Sequence, residues 1–225
     1  MSSESKADSS LDEIVAHLRA ALEATNSARE EALRASREVI QFASRTIRAV
    51  HRGEMEAART LADEARARVE GVKALLKDHP EIYYAGYIHD SQKEYVEARM
   101  MLAIVGGTPL PSAQALGIEP AAYLNGIAEA ASESRRFVLD RLREGEIERA
   151  DRVLKVMDDI YYELITFDFP DAITGGLRRT TDALRAVLER TRGDLTLTLA
   201  QKRLETALQR ANAAIQEPSP EGGPR

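Results

Sequence analysis

The chain has 225 residues, a formal net charge of -6, and neither cysteine nor tryptophan. That length can bury one substantial core, and the missing thiols exclude disulfides, thiolate metal centres and a cysteine nucleophile. Charged residues at 30% and aromatics at 5%, with Ala, Leu, Arg and Glu recurring throughout, describe long helices and no sheet. The acidic balance excludes a uniformly basic exterior but leaves positive charge free to gather on one surface.

Leu11 to Val50 keeps a helical apolar repeat through Ile14, Leu18, Leu22, Leu33, Val39, Ile40, Ala43 and Ile47, which predicts one very long helix. His51-Arg52-Gly53 closes it with a basic turn and a glycine. A second helix carries Leu61, Ala65, Val69, Val72 and Leu76 and stops before His79-Pro80. Pro80 then opens a third, running to the Gly106-Gly107 break. Gly106 to Pro120 reads as a long loop, Pro120 as the start of a fourth helix, and Glu144-Gly145 as the turn into a fifth that ends near Ile165. After the break at Phe167-Asp168-Phe169-Pro170-Asp171, a sixth helix is expected from Leu177 to Arg192-Gly193, with Asp194 capping a seventh.

The resulting expectation is an all-α protein of about seven helices in one domain over residues 10–216, with a disordered N-terminus over 1–9 and a disordered Pro- and Gly-rich tail over 217–225. No apolar run approaches the length of a bilayer span, and Met1 to Ser10 lacks a signal-peptide core, so the reading is of an unexported, cytoplasmic protein with no membrane partner.

Two helices carry acids on one face. Glu94 and Glu97 stand three apart on the third, in a stripe with Tyr87, Asp90 and Met101, and Glu129 and Glu133 stand four apart on the fourth. Like charges so placed repel unless they are solvated, protonated or bridged by a cation. In a chain with 37 acidic residues such same-face pairs are usually solvated helix surface, so spacing alone favours that reading over a metal site. Without histidine or cysteine in the set, any ion would be hard, Mg²⁺ or Mn²⁺ before Zn²⁺. A ferritin-like di-iron bundle needs Glu-x-x-His, and none of His17, His51, His79 or His89 follows a glutamate at that spacing.

On the first helix, Arg34, Arg37, Arg45, Arg48 and Arg52 fall within an arc of about 80° at 100° per residue. Opposite them lie Leu33, Ile40, Ala43, Ile47 and Val50, so the polar face is cationic and suited to tracking phosphates. A solvated face paired with Glu30 and Glu38 is the competing account. Lipid binding fits poorly, because the apolar face is rich in alanine and lacks tryptophan. No phosphate-binding glycine loop or serine-histidine-aspartate arrangement is present.

Three segments together resemble the translin family, and most closely its translin-associated factor X branch. They are Arg29-Glu30 through Ser36-Arg37-Glu38-Val39 to Ser44-Arg45-Thr46-Ile47 and His51-Arg52; Gln92-Lys93-Glu94-Tyr95-Val96-Glu97-Ala98; and Tyr123-Leu124-Asn125-Gly126-Ile127-Ala128-Glu129 with Glu133. Gly176-Leu177-Arg178-Arg179 continues the likeness more weakly. The resemblance implies an elongated helical bundle that assembles with copies of itself into a closed, octamer-like shell. It further implies binding of single-stranded RNA, with single-stranded DNA as a second ligand, and Mg²⁺- or Mn²⁺-dependent endoribonuclease activity. It assigns metal binding to Glu94, Glu97 and Glu129, with Glu133 as a fourth catalytic acid. The sequence departs from the pattern at Lys93, and at Glu129, where the branch has aspartate. A non-catalytic single-stranded RNA- or DNA-binding scaffold is the alternative.

Overall fold

The long apolar repeat near the N-terminus forms a single helix, α1, Glu4–His51, in a computed structural model that describes residues 4–216, with side chains described for 10–213. It begins earlier than Leu11, so residues 4–9, expected to be disordered, continue the helix; the expectation for 217–225 lies outside the described residues. Gly53 takes a φ of 75° at the turn into α2, Met55–Leu75, a left-handed conformation that suits glycine.

Pro80 does open a helix, but α3, Pro80–Tyr83, is a single turn, and the chain restarts as α4, Gly86–Gly106. The expected third helix is therefore two. Ala85 between them is extended, with φ -70° and ψ 148°, and the Tyr84 N–H already closes the turn on the Pro80 carbonyl. The following loop holds one further turn, α5, Ala113–Leu116, where Ser112 Oγ accepts from the Ala115 N–H at 3.1 Å. Then come α6, Pro120–Arg143, and α7, Ile147–Leu164. Another single turn, α8, Asp171–Thr174, sits within the predicted break.

The sixth and seventh helices are one. α9, Leu177–Gln216, passes through Arg192-Gly193-Asp194 without interruption. Asp194 does not cap; its carboxylate lies 2.8 Å from Arg135 of α6, while Arg192 lies 2.7 Å from Asp158 of α7. Two ion pairs on either side of Gly193 hold the helix to its neighbours, and they outweigh the glycine's modest helix-breaking preference. Among the described residues the chain thus has six long helices and three single turns, and no helix is long and apolar enough to cross a membrane.

α4 and α6 form the centre. α1 packs on α2 and α4, α4 on α6, and α6 on α7 and α9. Being covered on several sides, α4 buries Tyr95, Val96, Met100 and Met101 almost completely around its circumference. Gly126 of α6 sets the distance between the two: a Cβ there would stand 2.7 Å from the Lys93 carbonyl oxygen and 2.7 Å from Val96 Cβ. Backbone cannot yield as a flexible side chain does, so any residue but glycine pushes α6 off α4.

Gly126→Ala is expected to destabilise the fold by about 1–3 kcal/mol. Gly71→Ala, at an exposed helical position whose Cβ meets nothing within 4 Å, should stabilise it by about 0.5–1 kcal/mol. Denaturant melts followed by circular dichroism check both; equal effects of the two substitutions would mean that the α4–α6 contact is not tight.

Candidate metal centre and nucleic-acid face

The close approach at Gly126 brings the acid-bearing stretches of α4 and α6 together. Glu94, Glu97 and Glu129 each offer a carboxylate oxygen, and these lie within 4.8 Å of one another. All three side chains are half-buried. Glu133, one turn beyond Glu129, is turned elsewhere: its Oε1 lies 2.7 Å from Nε2 of His51, whose imidazole is nearly sealed from solvent. Lys93 reaches the group from α4 and donates from Nζ to Glu129 Oε1 at 2.9 Å.

These placements set the charge states. Burial pushes Glu97 up to about 8, and the neighbouring charges of Glu94, Glu129 and Glu133 add to the shift against a smaller opposing effect from Lys93. Glu94 is also raised, by burial first and then by Glu129 and Asp90, with Lys93 opposing. Glu133 is lowered, because its hydrogen bond to His51 outweighs its burial. For Lys93, burial pulls the ammonium down, but the bond to Glu129 and the charges of Glu129, Glu94 and Asp90 win and hold it above its ordinary value.

The donor set fits a hard divalent cation. It offers carboxylate oxygens alone, close enough to share one ion, and its charge is under-compensated: one lysine faces three glutamates, and Glu97 holds a proton that an ion would displace. Lys93 and His51 had no assigned part in the sequence reading. No sequence spacing pairs either with acids 36 and 82 positions away.

Arg34, Arg37, Arg45 and Arg48 along α1, and Arg52 just past its end, are all exposed. Glu30 and Glu38 are engaged by other residues, Arg29 and Arg68, so they do not neutralise the stripe. Arg52 is the exception in charge, held by both carboxylate oxygens of Glu54 at 2.8 and 2.7 Å. Arg48 donates to Ser44 at 3.1 Å, and Arg45 lies over the Phe42 ring.

No protein-family model matches the sequence. The uncharacterised protein MJ0175 of Methanocaldococcus jannaschii is 30% identical over 195 residues, which is 85% of this chain and 86% of the relative. Among solved structures, AfC3PO in its complex with duplex RNA is 36% identical with a TM-score of 0.79, covering 83% of this chain and 97% of AfC3PO. AfC3PO in a separate crystal structure gives a TM-score of 0.78. Apo-NeC3PO superimposes with a TM-score of 0.75 at 21% identity, a likeness of fold alone, over 82% of this chain and 96% of that one.

Glu97 ionises at its ordinary 4.5 in the unfolded chain and at about 8 in the fold, so protonation favours the folded state. Its contribution is complete below 4.5 and is lost as pH rises through 8. In chelator, the melting temperature of the wild type should therefore fall from pH 5 to pH 8.5, while Glu97→Gln should flatten that fall and melt higher at pH 8.5. Parallel pH profiles for the two proteins would show that Glu97 ionises normally in the fold.

Proposed function

Given that this chain belongs to the translin family, that of the C3PO proteins, we propose that it is a divalent-metal-dependent endoribonuclease acting on single-stranded RNA, assembled from copies of itself. The observation that carries the reading is the convergence of Glu94, Glu97 and Glu129 from two helices on one point. A solvated surface would leave such carboxylates apart; here they are half-buried at a cost to folding, which a bound ion relieves. The duplex RNA bound by AfC3PO supports RNA as the polymer class.

When bound, Mg²⁺ or Mn²⁺ supplies electrostatic stabilisation for phosphodiester hydrolysis. Glu94, Glu97 and Glu129 would hold it. Glu97 must give up its proton to do so, so loading is favoured as pH rises. Glu133, ionised and held by His51, would orient the attacking water from beside the three ligands and take its proton. Lys93, which donates to Glu129 at 2.9 Å, would supply positive charge beside the scissile phosphate. Arg34, Arg37, Arg45 and Arg48 would bind successive phosphates without reading bases, with Arg52 tempered by Glu54.

Purified protein should cut single-stranded RNA in Mn²⁺ or Mg²⁺ and stop in chelator. Glu94→Gln and Glu129→Gln should each lose about 100-fold or more in rate while still binding the strand, whereas Arg45→Gln with Arg48→Gln should weaken binding and flatten its salt dependence by about one unit of slope per arginine. Matched single-stranded DNA and duplex RNA in the same assay define the substrate. Wild-type cutting by both glutamate variants would overturn the nuclease reading, and binding without cutting across all metals would establish the scaffold alternative.

A further inference from the structure

Among the described residues, two helix ends are without partners. On α1, residues 10–24 are exposed throughout, and on α9 so are residues 200–213. Neither end is polar all round. Leu11, Ile14, Val15, Leu18 and Leu22 on α1 are 44% to 70% exposed, and Leu197, Leu204 and Leu208 on α9 are 56% to 60% exposed. Leu11 and Leu18, Val15 and Leu22, and Leu197 and Leu204 are each seven residues apart, with Ile14 and Leu208 at the intermediate positions. This is the repeat of a helix seam and not of scattered surface leucines. A segment of this length holds its helix poorly in water unless its apolar face is covered.

The two ends carry opposite charge. From Ser10 to Asn26 the α1 end has Asp12, Glu13 and Glu23 against Arg19, and from Ala200 to Ala213 the α9 end has Lys202, Arg203 and Arg210 against Glu205. Pairing α1 with another α1 would set acid against acid, and α9 with α9 base against base. Pairing α1 with α9 removes both repulsions. Among the described residues of one chain the two ends leave each other exposed, which directs the pairing to another molecule. An anionic lipid surface would repel the acidic end while attracting the basic one, which argues against a membrane as the common occupant.

We propose that the α1 end, residues 10–24, packs against the α9 end, residues 197–213, of a second copy of this chain. This identifies the contact for the self-assembly proposed above and is independent of the nuclease reading, since it needs neither RNA nor metal.

The absence of cysteine permits a direct test. Leu18→Cys and Leu204→Cys chains bearing different tags are co-expressed and treated with a bismaleimide whose reach tolerates a shift in register. The expected product is a two-chain species carrying one of each tag, and neither variant alone should yield a comparable amount. Products confined to like tags, or no two-chain product, overturn the pairing. A second measurement keeps the two ends separable: Leu18→Asp with Leu22→Asp, both exposed and outside the core, should lower the mass measured by light scattering while the core's cooperative thermal melt is kept, with helical signal lost only in proportion to the uncovered end. An unchanged mass would also overturn it.

Discussion

At Gly126 the backbones of α6 and α4 approach until a single methyl group has no room, and the site follows from that contact. The glutamates are fixed to their helices by sequence spacing: Glu94 and Glu97 share one face of α4, and Glu129 lies nearly one turn beyond Gly126 on α6. With α6 held against Lys93 and Val96, the three carboxylates have nowhere to diverge. A larger residue at 126 would act on the site through helix separation without touching a single acid.

That convergence is costly in the metal-free protein. Burying carboxylates together disfavours their charge, and the protein answers in three ways: Glu97 keeps its proton to about pH 8, Lys93 neutralises Glu129, and His51 holds Glu133 ionised. A purely structural role would be served better by apolar side chains at these positions. His51 also joins two surfaces in space, because it ends α1, the helix that carries exposed arginines, and contacts α6, the helix that carries Glu129 and Glu133.

Much of the architecture was legible in apolar periodicity, since long amphipathic helices bury one face and their breaks carry Gly and Pro. The misreadings have local causes. Gly193-Asp194 looks like a helix stop followed by a cap, but the Arg135–Asp194 and Arg192–Asp158 ion pairs connect residues distant in sequence and keep α9 whole. The break before Gly86 was hidden because Pro80 begins a turn that the following residues could have continued. Spacing revealed the acid pairs on each helix, but their joining depends on the α4–α6 contact, which no spacing encodes. The resemblance to a family supplied it. Lys93 and His51 stayed illegible for the same reason, their partners lying on other helices.

The central claim is that Glu94, Glu97 and Glu129 form one divalent-cation site. Calorimetric titration of Mn²⁺ into the chelator-stripped protein at pH 7, repeated in two buffers of different ionisation enthalpy, tests it most directly. The account predicts a saturable binding event with net proton release, lost in Glu94→Gln and weakened with less proton release in Glu97→Gln, where the Glu97 proton is no longer there to be displaced. Absence of saturable binding, or identical binding by wild type and Glu94→Gln, would contradict it.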